Sequence, residues 1–597
     1  MSIKIKNLFF LLKNLFKLSK SIFIVIIIKN IFKIAVSFSN ILGIGIVINA
    51  LEKGKSKEHI FYIILLYVII NIGVTIIREL IQLLENFIMR KLSNEMQYEY
   101  SNDSLKINYH YVQDNTILQM RRKSMQGHPA GVFVDTISNF TYYLLHLVCL
   151  ISIFSYYSPL FIFAILITSF ISIIFVFINK KNSFNFANDK IDEDRQLDYL
   201  YTVMTDYKYS KDIRVNNAEG YIYNKYNNIF KTQIRKIKNL FVKNICVNSF
   251  STIISVVQTV IMYLYFTYEV VIGNILLSEY TILISSTTLM IYTLLGLFEY
   301  IAILRNTATS AGFYKEYKEL IKKNSNIYNS NILDVDLKNI DDYCIEFKNV
   351  SFSYPKGSDF SLKNISLKIN NKEKIGIVGL NGSGKTTFIK LLTRLYDPLE
   401  GEILLNGINI KEIPYMEYIK KIGIVLQDYS LFAYSIKENI TFDNDADDEQ
   451  ILEVLEMSGL SEKVKTLPKG IDTSIYKTLD NSGIEFSGGE GQKLAFSRAL
   501  FKHTKLIILD EPTSAMDPIS EYEFFKEINK IADDQTCIFI SHRLSSTKKC
   551  DRIIVFDNGK IVEQGNHNQL MKNKNLYYKL FSSQAKFYIE KGIVVDE

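Results

Sequence analysis

Two short clusters in the second half of this 597-residue chain have the residue types and spacing for phosphate chemistry. The first is Gly379-Leu380-Asn381-Gly382-Ser383-Gly384-Lys385-Thr386, directly after the apolar run 375–378. It fits G-x-x-x-x-G-K-[ST], a loop whose successive backbone N–H groups converge on phosphate oxygens. Gly379, Gly382 and Gly384 allow φ > 0, and Lys385 brings a positive charge to the outer phosphates of a nucleoside triphosphate. Thr386 offers a hydroxyl to Mg²⁺, and the following helix presents its positive N-terminus. Asn381, Ser383 and Thr387 complete the loop's predicted nucleotide-binding set. The second cluster is Asp510-Glu511, which closes the apolar run 506–509. There Asp510 would hold Mg²⁺ through water, and Glu511 would polarise an attacking water.

Such residues need a rigid sheet to place them. From Tyr343 onward short apolar runs (344–347, 375–378, 423–425, 506–509, 537–540 and 552–556) alternate with helical stretches. That pattern predicts an α/β layer fold. A buried parallel strand reads as a continuous apolar run, and ligands gather at the strands' carboxyl ends. Both chemical clusters stand at such ends.

The first half is different. Six segments meet the length of about 20 mostly apolar residues that a bilayer requires: 21–51, 60–84, 140–157, 160–179, 248–272 and 280–304. Ser158 and Pro159 make a tight hairpin between the third and fourth. Long polar, helix-favouring stretches, 85–139 and 180–244, join spans two to three and four to five. Both are rich in Lys and Arg, whereas the short opposite turns at 158–159 and 273–279 have none, so both stretches and both termini are expected in the cytosol. Residues 1–20 are basic and amphipathic and read as a retained anchor. The net charge of +7 clusters beside apolar spans, which suits a membrane surface rather than nucleic acid. Five cysteines (Cys149, Cys246, Cys344, Cys537 and Cys550) have neither metal-ligand spacing nor a disulfide pattern.

Read in order, the phosphate loop, Gln427, Phe486-Ser487-Gly488-Gly489-Glu490, the strand ending in Asp510-Glu511, and His542 resemble the nucleotide-binding domain of ATP-binding cassette (ABC) transporters. The resemblance implies ATP and Mg²⁺ as cofactors. It makes Ser487, Gly488, Gly489 and Glu490 a signature motif, whose hydroxyl and helix-start amides contact the γ-phosphate of ATP held by a second chain. Phe486, Glu490 and Lys493 depart from the commonest wording, and Glu490 adds a negative charge near that phosphate. The same resemblance assigns Gln427 to Mg²⁺, the attacking water and the coupling helices. It makes His542 the switch histidine, Asp517 a residue that communicates across the dimer, and Tyr354 the ring that stacks on adenine. The two cytosolic stretches look like exporter loops. Tyr111-Val112-Gln113-Asp114-Asn115 and Tyr209-Ser210-Lys211-Asp212-Ile213-Arg214 resemble their coupling segments, the second more closely.

The expected architecture is therefore an α-helical membrane domain (1–320) with six transmembrane helices and long cytosolic extensions, a linker (321–342), and an α/β P-loop nucleotide-binding domain (343–597). As the resemblance implies, two such half-transporters pair in the plasma membrane, as a homodimer or with a related chain, with the nucleotide-binding domain cytoplasmic. The cargo is open among a peptide or amphipathic compound, a multidrug substrate and a lipid; an ATP-driven membrane regulator without transport is the alternative of another class. No papain-like peptidase precedes the first span, so an exported peptide would not have its leader trimmed by this chain. Lys29, Lys33, Asn71, Arg78, Glu79, His146, Gln258, Glu299 and Arg305 fall in or beside the spans. Each could be an intra-bundle pair or part of a mixed-charge cavity, because an unpaired charge at mid-bilayer costs roughly 2.5–3.5 kcal/mol.

Overall fold

The computed structural model describes the chain apart from residues 1–2, 113, 126–128, 158–159, 325–342, 356–359, 443–445, 514–515, 532–533, 542, 544–546 and 591–597. The hairpin at Ser158 and Pro159 and nearly all of the 321–342 linker thus lie outside the described residues. The chain forms two compact units, 1–106 with 113–322, and 107–112 with 323–597.

The first unit is helical: α1 (Ile3–Leu18), α2 (Ser21–Glu52), α3 (Lys57–Leu105), then, past the short α4 (Tyr109–Val112) that belongs to the other unit, α5 (Asn115–Met125), α6 (Pro129–Tyr157), α7 (Leu160–Asp189), α8 (Ile191–Thr205), α9 (Tyr207–Val215), α10 (Glu219–Ile272) and α11 (Leu277–Asn324). Among the described residues, six of them (α2, α3, α6, α7, α10 and α11) are long and apolar enough to cross a membrane. They overrun the apolar windows. With 49 residues, α3 is about 74 Å long, more than twice a hydrocarbon core of about 30 Å. The polar stretches after spans two and four are thus partly direct continuations of the spanning helices. Apolar side chains stay exposed along α2, α3 and α10, among them Ile27, Leu66 and Ile261, as surfaces meant for lipid or other protein do. The interior is built around Ile41, Leu150, Phe154, Phe266 and Met290, from α2, α6, α10 and α11.

Polar groups inside this bundle are mostly paired. The Lys29 ammonium lies 2.7 Å from Glu85 of α3 and donates to Ser138 of α6 at 2.6 Å, all three buried. His146 bridges Ser37 and Thr293, and Gln258 donates to Ser169 and the Ile165 carbonyl. Asn71 donates to the Tyr67 carbonyl, Arg78 pairs with Glu79, and Glu299 meets Lys180 at 2.6 Å. Lys33 stands 3.7 Å over the Tyr142 ring. Alongside these pairs lies a cavity of about 470 Å³ lined by Lys29, Lys33, Arg78, Glu79, Arg90 and Asp135 among others. Pairing and cavity therefore coexist, and Glu299 belongs only to the pairing.

In the second unit the strands are β1 (Ile345–Phe352), β2 (Leu362–Ile369), β3 (Lys374–Gly379), β4 (Glu400–Leu405), β5 (Ile408–Asn409), β6 (Ile422–Val425), β7 (Leu506–Asp510), β8 (Thr536–Ile540), β9 (Arg552–Asp557) and β10 (Lys560–Gly565). A sheet in the order β10-β9-β3-β8-β7-β6 is parallel from β9 to β6, with β10 antiparallel at its edge. A second, antiparallel sheet runs β2-β1-β4-β5. Phe347, Phe388, Ile508 and Phe556 fill the core between them. The two candidate coupling segments part company. Residues 107–112 pack within this second unit, beginning four residues ahead of the expected 111–115 and sharing only Tyr111 and Val112 with it, whereas α9 has no buried residue in the single chain.

Candidate functional site

β3 and β7 flank β8 in the parallel sheet, so their carboxyl ends lie on one edge, where the phosphate loop begins. β3 delivers Gly379, and the helix Lys385–Leu392 starts immediately after the loop. Gly384 has φ +110°, and a Cβ there would come within 2.7 Å of Leu362 and 3.0 Å of the Ser361 carbonyl. At Gly379 it would lie 2.3 Å from the Phe556 carbonyl oxygen. The loop therefore needs glycine for both conformation and space. Lys385 is buried, and its ammonium donates to the carbonyls of Gly379 and Leu380, each at 3.0 Å. Burial pulls its pKa below the ordinary value, against the attraction of Glu511 and Asp510. An ammonium hydrogen-bonded to its own loop's carbonyls can exchange them for phosphate oxygens. Ser383 is also buried, and its hydroxyl has no hydrogen-bond partner among the described residues. Thr386 is exposed at the helix start, while Asn381 and Gly382 are exposed on the loop.

Asp510 is 2% exposed at the end of β7, and its Oδ1 has no hydrogen-bond partner among the described residues. Burial, and then the charge of Glu511, push its pKa up to about 6. An orphaned carboxylate oxygen is a hard donor of the kind a divalent cation takes, and the exposed Thr386 hydroxyl is another oxygen of that kind. Glu511 follows with φ +51°, strained for a residue with a side chain, and its N–H is held by the Ile540 carbonyl at 2.9 Å. The Gln427 amide donates to Glu511 Oε2 at 3.0 Å. Four residues from distant parts of the sequence thus converge: Lys385, Gln427, Asp510 and Glu511.

The signature segment starts a helix, Gly488–Phe501, with Ser487 as N-cap. Ser487 Oγ accepts from the Glu490 N–H, and the Glu490 carboxylate accepts from the Ser487 N–H in return, a reciprocal capping box. Glu490 also pairs with Lys463 at 3.1 Å, and these hydrogen bonds hold its pKa below the usual carboxylate value despite partial burial. Its charge is therefore compensated within the chain and spent on ordering the helix start. Gly488 and Gly489 occupy the first turn of that helix.

Sequence reasoning missed Tyr429, whose hydroxyl donates to the Gly488 carbonyl at 3.1 Å and so ties the Gln427 loop to the signature helix. A tyrosine two residues after Gln427 carries no pattern that would have identified it. Tyr354 shares a hydrogen bond of 3.1 Å with Thr387, which places its ring beside the phosphate-loop helix. Asp517 caps the helix Pro518–Ile531, its Oδ1 accepting from the N–H groups of Ile519 and Ser520. His542 lies outside the described residues.

Comparison with known proteins agrees with this geometry. Residues 362–514 match the family model described as ABC transporter. The chain is 34% identical over 400 residues to the subtilin transport ATP-binding protein SpaT of Bacillus subtilis, covering 66% of this chain and 63% of that protein. It is 37% identical over 241 residues to the putative multidrug export ATP-binding/permease protein YgaD of the same species, 40% and 41% of the two chains. The aligned part thus spans less than two thirds of these relatives' length. Among solved structures, a bacterial Atm1-family ABC exporter with ATP bound superposes with a TM-score of 0.77 at 19% identity, over 95% of this chain and 98% of that one. That likeness is one of fold and takes in both halves.

Proposed function

The chain belongs to the ABC transporter family, and from that premise we propose that it is the half-transporter of an ATP-driven exporter that moves a peptide out of the cytosol. In this reading 1–320 is the membrane domain, 321–342 the linker and 343–597 the ATPase, the last with both termini in the cytoplasm. The carrying observation is the convergence of Lys385, Gln427, Asp510 and Glu511 at the carboxyl edge of the parallel sheet.

Lys385 and the loop amides bind and orient the triphosphate of ATP, and Tyr354 stacks on its base. Thr386, Asp510 and Gln427 are the residues that would hold Mg²⁺, whose charge offsets that of the phosphates. Glu511 accepts a hydrogen bond from the attacking water and so polarises it, and Gln427, whose amide donates to Glu511, fixes the direction of that carboxylate. His542 contacts the γ-phosphate. Ser487, Gly488 and Gly489 complete the site of a partner chain, and Asp517 lies near that junction, so two chains close over two ATP molecules. This closure alternates the membrane cavity between the two faces of the bilayer.

Two observations favour a peptide over a hydrophobic drug or a lipid. The 400-residue alignment with the protein named for subtilin transport is too long to fit inside 343–597, so it draws on the membrane half, where cargo is chosen. The 241-residue alignment with the multidrug relative is short enough to be ATPase alone. In addition, the cavity beside Lys33, Arg90 and Asp135 presents charges of both signs, as a peptide's termini and side chains require.

The test is transport in proteoliposomes. ATP should drive uptake of a labelled cationic or modified peptide into inside-out vesicles, and the peptide should stimulate ATP hydrolysis. Glu511→Gln should lower hydrolysis by about 10²–10⁴-fold while leaving ATP binding intact. Vigorous ATPase with no movement of any candidate solute would favour a membrane regulator instead. Undiminished hydrolysis in the Glu511→Gln protein would remove the assigned role of that carboxylate.

A further inference from the structure

Between α3 and α5 the chain leaves the first unit for six residues, and three of the side chains it brings to the second unit, Tyr109, His110 and Tyr111, are aromatic. Tyr109 meets Tyr396 with ring centroids 5.8 Å apart and planes at 85°. His110 lies 6.2 Å from the same ring. Tyr396 is 7% exposed and sits in the core of the second unit. On its far side it contacts Tyr354 at 5.3 Å and 86°, and Phe352 at 5.4 Å and 63°. Phe352 and Tyr354 are themselves perpendicular at 5.2 Å. The Tyr354 hydroxyl reaches Thr387, and the Lys390 ammonium stands 5.5 Å from its ring. One continuous aromatic shell therefore runs from the phosphate-loop helix to residues 109 and 110, with Tyr396 at its centre.

Perpendicular ring pairs are sensitive to orientation, because the electropositive edge of one ring must address the electron-rich face of the other. A ring fixed by a stacked base constrains its perpendicular neighbours, and a packed cluster of this kind has few alternative arrangements. Residues 107–112 are joined through the chain to α3 on one side and to α5 on the other.

We propose that Tyr396 is a positioning residue through which a purine base stacked on Tyr354 orders the 107–112 segment. Occupancy of the base site is thereby signalled separately from occupancy of the phosphate site, which the Gln427 loop senses. The proposal rests on the reading that Tyr354 receives the adenine ring. It makes the response selective for a triphosphate that carries a base.

Hydrogen exchange of the full-length protein in nanodiscs tests this, using Mg-ATP and Mg-tripolyphosphate as probes. ATP should slow exchange in the peptide spanning 105–116 by about fivefold or more. Tripolyphosphate should protect 379–387 but leave 105–116 unchanged. Tyr396→Phe should behave as the parent, because it keeps the ring. Tyr396→Leu should lose the slowing at 105–116 while ATP still protects 379–387. Tyr109→Leu, at the half-buried end of the shell, should lose it too, which provides a second reading if the core substitution impairs folding. An ATP response retained in both leucine variants, or equal slowing of 105–116 by tripolyphosphate, overturns the proposal. Tyr354→Leu separates the two layers. If it leaves ATP affinity unchanged relative to tripolyphosphate, the stacking assignment fails. If it weakens ATP while the Tyr396→Leu and Tyr109→Leu responses persist, only the relay fails.

Discussion

At the scale of single residues, the site's energetics concentrate in Asp510. A pKa of about 6 against an ordinary 3.8 means that the fold holds the carboxyl proton more tightly than the unfolded chain does. The cost of ionising it in the fold is absent below about pH 4. It grows as pH rises towards 6, and is complete above that, at most about 3 kcal/mol. Asp510→Asn should therefore raise the thermal midpoint of the nucleotide-free protein at pH 7.5 by several degrees, and the gain should shrink at pH 5. The same change should remove the extra stabilisation that Mg²⁺ adds to ATP. Calorimetry with and without Mg-ATP decides it: a variant no more stable than the parent at pH 7.5, or one that keeps the Mg²⁺ increment, contradicts the account. Asp510 was legible in sequence because the strand before it is uninterrupted apolar residues. The Lys463 partner of Glu490 was not, because a surface ion pair formed across 27 positions leaves no local trace.

At the scale of elements, legibility followed burial. The strands recognised from sequence include all of the parallel ones (β3, β6, β7, β8 and β9), covered on both faces and hence continuously apolar. Those overlooked, β2, β4, β5 and β10, are antiparallel and half exposed; β2 alternates buried and exposed positions, and its polar residues hid it. In the membrane half, apolar windows marked the spans but not their partners. Glu85 fell within a polar stretch, although its carboxylate neutralises Lys29 and joins α2, α3 and α6 through Ser138. Removing one partner strands a buried charge, so Lys29→Met or Glu85→Leu alone should destabilise the bundle by about 3–5 kcal/mol. The double variant should recover most of that loss, because two apolar side chains replace two buried charges. Thermal unfolding in detergent, read as a double-mutant cycle, measures the coupling, and strictly additive losses would show that the pair is not the link between these helices.

At the scale of the whole molecule, each chain has one phosphate loop and one signature segment, and both are built ready for use. Lys385 rests on carbonyls it can exchange, and Ser487 already caps its helix with the first-turn amides at its N-terminus. If a working site takes its loop from one chain and its signature from the other, defects in the two elements must complement each other. Lys385→Ala disables the loop and leaves the signature; Ser487→Arg blocks the signature and leaves the loop. Each variant alone should have almost no ATPase, since both of its sites contain the fault. In a mixed pair one site collects both faults and the other collects neither. Co-expression at equal amounts should therefore restore about a quarter of the parent activity, as half of randomly formed twofold pairs are mixed and each has one intact site of two. Purifying mixed pairs through two different tags should double that fraction. Co-expressed chains that pair yet recover no activity would mean that each site carries one of the two faults, as when a chain's own loop and signature serve the same site, and the shared-site assembly would have to be abandoned. Recovery in a preparation in which the chains do not associate would equally exclude it.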